Sequence, residues 1–420
     1  MDAMERLKRL KQITLEDGIF FALVVFALGS CISGHLGKNS EMVAIALCVI
    51  RLLRGNIPME RLRVVKQLAL VLGIFFGTMM ISSLRTGLSN FINYGIMDWW
   101  FETLLLFCVI IGVQNKKQVT ILYTLLFVSI LIVDFHIFYE TAHGAVRATG
   151  FFKAVARSSA FYALIIPAIA VFAVDERIGK KARIVCWGML VLGLAAVFLT
   201  GTRGIWLSIP LTLLVVFVYG TGSWKKPLRF MAVGTLCVCA IAMLAPPALR
   251  NRVAAGYLSH DGSITARIAM WEGAVHMFQD YPLLGVGMGN FNKYWRDQYC
   301  PPQHPGWKKF VAPHSSSLLY LSEGGLLGIA GYGAFYGYLM LWSWKRRRTR
   351  RGLLLLGSTL SIFLYGLTDT PLGAHEVLRV YWFLIGLAFA DEAVEKLEKR
   401  SPEESRDLKM GAISDTGAAK

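Results

Sequence analysis

The chain contains a series of apolar blocks, each close to twenty residues long, separated by short polar segments. A helix of about twenty apolar residues crosses the roughly 30 Å hydrocarbon core of a bilayer. Such blocks must be helical there, because lipid offers backbone amides no hydrogen-bond partners. The composition agrees, since 55% of the residues are hydrophobic, only 17% are charged, and the mean hydropathy is +0.51. The sequence therefore predicts an all-α polytopic membrane protein.

Twelve membrane-spanning helices account for these blocks. We predict spans at 18–36, 40–54, 66–84, 99–114, 119–138, 158–174, 184–202, 205–221, 229–246, 316–343, 352–368 and 377–390. They divide the chain into a tail at 1–17, helices 1–9 within 18–246, a loop at 247–315, helices 10–12 within 316–390 and a tail at 391–420. We expect this last tail to begin as a charged helix and to be partly disordered, from about Ser401.

The basic residues predict the orientation of these helices. The net charge is +17, and most Lys and Arg fall inside if the N-terminus is cytoplasmic, including the run at 345–351. Both tails then lie in the cytoplasm and the loop at 247–315 lies on the opposite, outer side of the membrane. Nucleic-acid binding is disfavoured, because short basic loops between apolar blocks set orientation and contact membrane lipids. The seven cysteines are scattered and indicate neither a disulfide framework nor a metal site.

The loop at 247–315 is too long for a passive connector. It is rich in Trp, Tyr, Pro and Gly, and it contains a helical pattern around 268–277. Arg267 opens this pattern, and its planar guanidinium suits phosphate oxygens, although a solvated surface arginine is the plain alternative. Tyr294 belongs to an aromatic group that could stack on sugar faces. We therefore look for function in this loop first.

Two further candidates lie where helices meet the outer face. Arg203 stands in Thr200-Gly201-Thr202-Arg203-Gly204 between two apolar helices, where an arginine is costly unless it meets a partner or an anion. A snorkelling or orientation-setting role is the alternative. His314 precedes an apolar helix, and its imidazole could take a proton from a hydroxyl, or it could simply cap the helix. Glu323, further along that helix, must be paired or protonated if buried, and we expect it to be structural.

Arg147, Lys153 and Arg157 form a second basic group on the same outer side. With Arg203 and Arg267 they would make a cationic patch able to hold a diphosphate, unless they are only solvated. The last outer loop supplies further polar groups as candidates for the lining of the same cavity, namely Asp369, His375, Glu376 and Arg379.

Three motifs occur in a fixed order along the chain. The first is T-G-T-R-G after a helix, the second is R-x3-W followed by P-L-L-G-V-G-x-G-x-F, and the third is H-S-S-S-L-L-Y-L-S-E-G-G-L-L-G. In this set the chain resembles the O-antigen ligase and O-antigen polymerase superfamily of bacterial envelope glycosyltransferases. The resemblance implies a C-type glycosyltransferase-like fold, with about twelve helices and a large, partly helical periplasmic loop between helices 9 and 10.

The resemblance also implies an activity. It is transfer of the O-antigen glycan from undecaprenyl diphosphate to a hydroxyl of the lipid A–core oligosaccharide, in the periplasmic leaflet of the inner membrane, with inversion and without metal or cofactor. Arg203 and Arg267 match the family arginines that would bind the diphosphate, and His314 matches the base. We expect the same site to contact substrate through six more residues: Arg147, Lys153, Arg157, Glu323, Trp271 and Tyr294. A polymerase or a protein O-oligosaccharyltransferase would share these motifs, and a lipid-linked glycan transporter is the alternative from another class.

Overall fold

The computed structural model describes residues 14–55, 59–225, 243 and 262–417. Within these ranges the regular structure is entirely helical, with no strand. The longer helices are α1 (Leu15–Gly29), α2 (Gly34–Leu53), α3 (Lys66–Ser83), α4 (Leu104–Gly112), α5 (Lys116–Ala142), α6 (Val155–Val174), α7 (Lys180–Leu199), α8 (Arg203–Thr221), α9 (Gly262–Asp280), α10 (Ser316–Lys345), α11 (Arg350–Gly366) and α12 (His375–Gly417). Shorter helical turns occur at Met59–Leu62, Arg63–Val65, Phe101–Thr103, Phe291–Tyr294, Pro305–Lys309 and Pro371–Gly373, and π-helical segments at Phe91–Trp100 and Trp295–Tyr299.

Seven helical stretches in the described part of the chain are long and apolar enough to cross a membrane. They are Met59–Ser83, Phe91–Gly112, Lys116–Ala142, Val155–Val174, Lys180–Leu199, Arg203–Thr221 and Ser316–Lys345. An all-α membrane protein is therefore supported. Twelve crossings remain a prediction, and the predicted span at 229–246 lies outside the described residues apart from Met243.

The first predicted span, 18–36, is wrong at its C-terminal end. Helix α1 ends at Gly29, and α2 begins at Gly34 after Ser33, whose hydroxyl accepts a hydrogen bond from the Leu36 amide at 3.4 Å. A Cβ at Gly29 would lie 2.9 Å from the Leu36 Cβ, so the two helices meet in a tight hairpin. No charged residue or proline interrupts the sequence between the two helices, which is why the first predicted helix extended too far.

Helix α12 forms the centre of the bundle. Every residue from 377 to 390 is buried, and this range coincides with the last predicted span. A helix that is apolar on all sides is expected to be surrounded by other helices. Helices α4 and α11 pack against it. Helix α12 extends to Gly417, and the partial disorder expected from about Ser401 stays a prediction.

Ion pairs extend α12 beyond the buried stretch. Lys396 bonds Glu392 at 2.8 Å and Lys399 bonds Glu395 at 2.6 Å, each across one helical turn. Pairs at this spacing stabilise a helix by about 0.2–0.5 kcal/mol each. Glu392 also accepts two hydrogen bonds from Arg346, at 2.7 and 3.0 Å, at the end of α10. The charged tail is thus tied to the basic segment between α10 and α11.

The helix order brings five helix ends to one end of the bundle. Helices α6, α8, α10 and α12 begin there, and α11 ends there. The Ser316 amide at the start of α10 donates to the Asp369 carbonyl after α11 at 3.1 Å. Arg157 in the first turn of α6 bonds Glu376 in the first turn of α12 at 3.3 Å. The candidate residues that the sequence spreads over more than two hundred positions therefore lie at the same end.

Candidate functional site

His314 has an unusual backbone conformation at the start of α10. Its φ is +51°, the only positive φ at a non-glycine among the described residues. The next residue, Ser315, caps the helix by accepting a hydrogen bond from the Leu318 amide at 3.4 Å. Left-handed conformations at non-glycine residues cost about 1–3 kcal/mol and concentrate at functional sites. The strained backbone therefore marks His314 as a candidate functional residue.

Asp369 is the hydrogen-bond partner of His314. Its Oδ1 lies 3.2 Å from the His314 Nδ1 and accepts from the Thr370 amide at 2.8 Å, while its Oδ2 accepts from the Tyr365 hydroxyl at 3.1 Å. Its side chain is only 8% exposed. Burial alone would raise the pKa of Asp369, but the hydrogen bond and charge of His314, the Thr370 amide and Arg267 outweigh it and hold that pKa below its ordinary value. Asp369 is therefore an anion that fixes the orientation of the imidazole.

Helix α9 holds both members of this pair in place. The Arg267 Nη1 donates to the Thr368 carbonyl at 2.7 Å, and its Nη2 lies 3.8 Å from the Asp369 Oδ2. One turn later the Trp271 Nε1 donates to the Pro313 carbonyl at 2.9 Å. Residues four apart lie on one helix face. Arg267 thus contacts the residue before Asp369, and Trp271 contacts the residue before His314.

The T-G-T-R-G turn packs against the segment after α11 that contains Thr368 and Asp369. A Cβ at Gly204 would lie 2.4 Å from the Thr368 hydroxyl oxygen, so a larger residue there would force the Thr368 side chain to shift. Gly201 has a φ of +66°, which the turn requires. Arg203 is the first residue of α8 and is half-buried beside this contact. Arg203 therefore projects from a turn that touches the residue next to Asp369.

The second basic group is divided among three environments. The Arg147 guanidinium donates to the Thr200 carbonyl at 3.3 Å and to the Thr202 hydroxyl at 3.5 Å, which joins it to the turn that carries Arg203. Arg157 is paired with Glu376, as described above. Lys153 is exposed. Arg147 is therefore the member of this group that the fold connects directly to the site.

Glu323 anchors the glycine-spaced loop. Its Oε1 accepts a hydrogen bond from the Phe291 amide at 3.0 Å, and it is 5% exposed. The helix around it is interrupted at Gly325, whose φ is +58°. At this break the Val286 and Gly287 amides donate to the carbonyls of Ser322 and Glu323, at 2.9 and 2.8 Å. The P-L-L-G-V-G segment thus docks into a gap in α10.

Tyr294 forms a cluster with a residue that the sequence did not single out. Arg85 donates to the Tyr294 hydroxyl at 3.2 Å, and its guanidinium carbon stands 3.7 Å above the Tyr281 ring. The two tyrosine rings meet edge to face at 5.8 Å. This arrangement places an exposed cation among the aromatic residues of the loop.

A cavity of about 400 Å³ lies next to the His314–Asp369 pair. Ala312, Ser316 and Thr370, which flank the pair in sequence, belong to its wall. The rest is largely aromatic and apolar, with one carboxyl group, that of Glu323, and one imidazole, that of His375. Such a wall suits a substrate with both apolar and polar parts.

The last loop was expected to line this cavity, and His375 does so. Its Nδ1 lies 2.9 Å from the Glu102 Oε1, which also accepts from Arg379 at 2.9 Å. Arg379 in turn bonds Glu41 at 2.7 Å. Arg379 therefore serves a buried ion-pair network behind the cavity.

Residues 188–333 match the family model described as O-antigen ligase. This segment is similar to O-antigen ligase domains. The family consists of glycosyltransferase-like enzymes of lipopolysaccharide biosynthesis. The O-antigen ligase segment is about a third of the chain and includes Arg203, Arg267, Trp271, His314 and Glu323. The superfamily resemblance read from the motifs is thereby confirmed. No curated protein matched the chain.

Asp369 and Tyr365 lie outside the O-antigen ligase segment. The sequence offered Asp369 as one of several outer polar residues, and its pairing with His314 became apparent only in three dimensions. Tyr365 lies in an apolar span, where a tyrosine carries no distinguishing signal. Arg85 follows a helix end as a single basic residue, and nothing in its sequence context marked it.

Proposed function

We propose that the chain transfers an O-antigen glycan from undecaprenyl diphosphate to a hydroxyl of the lipid A–core oligosaccharide. The observation that carries this proposal is the His314–Asp369 pair, held by Arg267 and Trp271 and located where the ligase-type motifs converge. A positioned histidine with one nitrogen bound to a carboxylate is the arrangement expected of a general base.

The proposed reaction starts with proton transfer to His314. Asp369 accepts from the Nδ1–H, so the Nε2 carries the lone pair, and none of the described residues bonds that nitrogen. The Nε2 takes the proton of the acceptor hydroxyl while the oxygen of that hydroxyl attacks the anomeric carbon of the donor glycan. The bond between that carbon and the diphosphate oxygen breaks, and the diphosphate leaves with the electron pair. A single displacement inverts the anomeric centre.

Arg203 and Arg267 are the proposed partners of the departing diphosphate. One well-placed donor at a developing negative charge contributes about 3–4 kcal/mol to lowering a barrier. Arg267 also fixes the Thr368 carbonyl, so we propose that it both binds the leaving group and positions Asp369. Arg147 would support Arg203 from the adjacent turn, whereas Lys153 and Arg157 would contribute to the surrounding positive potential.

The remaining substrate contacts follow from the cavity. Its apolar and aromatic wall would accept the amphiphilic donor, and Glu323 would shape its floor by holding the glycine loop. Tyr294, with Arg85 beside it, would stack on sugar faces. We propose that Trp271 acts on the substrate indirectly, by fixing the Pro313 carbonyl.

The proposed location is the bacterial inner membrane, with the site facing the periplasm. The basic segment at 345–351 lies at the opposite end of α10 and α11 from His314. Cytoplasmic loops carry the excess of Lys and Arg, so this end would face inward. The site would then reach a donor glycan exposed on the outer leaflet.

The test is complementation of a strain that lacks its own O-antigen ligase. Extracted lipopolysaccharide is run on a gel for the wild-type chain and for His314→Ala, with membrane levels compared by immunoblot. We expect a restored ladder with the wild type and none with the variant. A ladder from the variant at equal expression would refute the base assignment, and lengthened undecaprenyl-linked polymer without a ladder would instead identify a polymerase.

A further inference from the structure

A second polar pocket lies at the opposite end of the bundle from His314. It has a volume of about 300 Å³ and is formed where α6, α8 and α10 end and α11 begins. Four arginines line it: Arg177, Arg347, Arg348 and Arg350. Two carboxylates, Asp175 and Glu176, also line it. Four positive and two negative charges leave a net charge of +2 around the pocket.

The two carboxylates can balance the charge of only two of the four arginines. Arg177 bonds Asp175 at 2.7 Å and Arg350 bonds it at 2.6 Å, so both engage the same buried side chain. Among the described residues, no carboxylate lies within ion-pair distance of Arg347 or Arg348. Two guanidinium groups thus face the pocket without an anion, which favours a negatively charged ligand.

Arg347 is held in position by aromatic side chains. Its guanidinium carbon lies 4.4 Å from the centre of the Trp344 ring and 5.3 Å from the centre of the Tyr219 ring. Its Nη1 donates to the Trp344 carbonyl at 2.8 Å, whereas its buried Nε has no hydrogen-bond partner. A buried donor left unpaired costs about 1–3 kcal/mol. The aromatic contacts therefore order the Arg347 guanidinium at the edge of the pocket.

The surroundings of the pocket are apolar. Val171, Val174 and Leu353 line its inner wall, and Leu341 and Trp344 are exposed on the adjoining surface of α10. A soluble anion would gain nothing from this surface. A phospholipid would place its phosphate among the arginines and its acyl chains along α10.

We propose that this pocket binds the headgroup of an anionic phospholipid through Arg347 and Arg348. Basic pockets between helices at a membrane surface are suited to such headgroups. The net charge of +2 favours an anionic headgroup over a zwitterionic one, whose own cation would be repelled. The site lies apart from the proposed chemistry and does not depend on which glycan is transferred.

The test uses the full-length chain purified in a neutral detergent. Its Tm is followed by tryptophan fluorescence during titration with phosphatidylglycerol, phosphatidylcholine or glycerol phosphate. We expect a saturable rise in Tm with phosphatidylglycerol alone. A double variant, Arg347→Gln with Arg348→Gln, should raise the half-saturating concentration by about tenfold or more, as expected for the loss of two charge-assisted hydrogen bonds.

The matched control carries the same charge change on the same face. Lys180 and Lys181 begin α7, are exposed and do not line the pocket, so Lys180→Gln with Lys181→Gln should shift the half-saturating concentration less than about twofold. Arg348→Gln alone changes an exposed side chain and guards against a folding defect; it should weaken binding by itself. An equal response to phosphatidylcholine, or equal weakening by the lysine variant, would overturn the proposal. Saturation by glycerol phosphate alone would identify a soluble phosphate and overturn the lipid assignment.

Discussion

Replacing Asp369 by asparagine tests whether the carboxylate sets the protonation state of His314. The side chain accepts from His314, Thr370 and Tyr365, with donors at 2.8–3.2 Å. An asparagine keeps the volume but replaces one oxygen with a donor NH₂ group. If that NH₂ group takes the place of Oδ1, the His314 Nδ1–H faces another donor, and the imidazole favours the tautomer with its proton on Nε2.

The expected loss follows from what general-base catalysis contributes. A positioned base accelerates proton transfer by about 10²–10⁴-fold, and the wrong tautomer removes that contribution. We therefore expect the rate constant for transfer to fall by roughly 10²–10⁴-fold in Asp369→Asn. Tyr365→Phe is the matched control, because it removes one hydrogen bond to the ionised carboxylate, about 1.5–3 kcal/mol of stability, and leaves the carboxylate and the His314 tautomer in place. Its Tm should therefore fall, while its rate constant should fall no more than about tenfold.

The assay is a single-turnover measurement with purified protein, a labelled lipid-diphosphate glycan and a lipid A–core acceptor. The Tm of each variant shows whether it is folded. An Asp369→Asn protein that is folded and transfers at more than about half the wild-type rate would refute the reasoning, since the carboxylate would then be dispensable. A Tyr365→Phe variant as impaired as Asp369→Asn would locate the effect in the loop rather than in the tautomer.

Four further predictions follow from the same geometry. Trp271→Phe removes the bond to the Pro313 carbonyl and should lower the transfer rate constant about tenfold, with the Michaelis constant for donor nearly unchanged in steady-state assays. Arg267→Lys keeps the charge but loses the planar fork, so the rate constant should fall by about tenfold or more in the same assays. Gly285→Ala would bring a Cβ within 2.5 Å of the Ser322 carbonyl oxygen at a positive φ, and should lower the Tm by roughly several degrees. Because the pKa of Asp369 is below its ordinary value of 3.8, its charge stabilises the fold above that pH, and the advantage in Tm over Asp369→Asn should be lost only as the pH falls below it.

Each of these predictions has an outcome that contradicts it. A rise in the Michaelis constant for donor with an unchanged rate constant in Trp271→Phe would indicate direct substrate contact. Wild-type kinetics in Arg267→Lys would show that the planar guanidinium of Arg267 is not required. Gly306→Ala is the control for Gly285, because a Cβ there meets nothing within 4 Å, and equal losses in both would dismiss the docking argument. An advantage in Tm that vanished between pH 5 and 8 would mean that Asp369 is not ionised there.

The sequence predicted the helices of the bundle where apolar blocks were bounded by polar segments. The third predicted span, 66–84, matches α3 closely, because Lys66 and the polar residues after Ser83 bound it. The hairpin at 30–33 was missed, since it contains no charged residue and no proline that would mark a turn. The helix through Phe91 was also begun too late, because the π-helical segment Phe91–Trp100 contains Asn93 and Asp98, which interrupt the hydropathy pattern.

The sequence singled out several residues of the candidate site but did not predict which of them contact each other. Arg267, Trp271 and His314 were singled out by motif, and the structure brings all three to one loop junction. The sequence could not assign Trp271 to Pro313 or Asp369 to His314, because those contacts span 42 and 55 positions. Local patterns carry information about a helix face, whereas partners across the bundle depend on how the helices pack.

We propose that His314, oriented by Asp369, takes the proton of an acceptor hydroxyl during glycan transfer. The most direct test mixes the purified chain with undecaprenyl-diphosphate-linked glycan and lipid A–core and follows the product by mass spectrometry. His314→Ala is compared with His304→Ala, a histidine of the same loop whose ring stacks on Trp307 at 3.9 Å. We expect a glycan–lipid A–core product with the wild type and His304→Ala, and none with His314→Ala. Product formation by a folded His314→Ala at the rate of the His304 variant would contradict it.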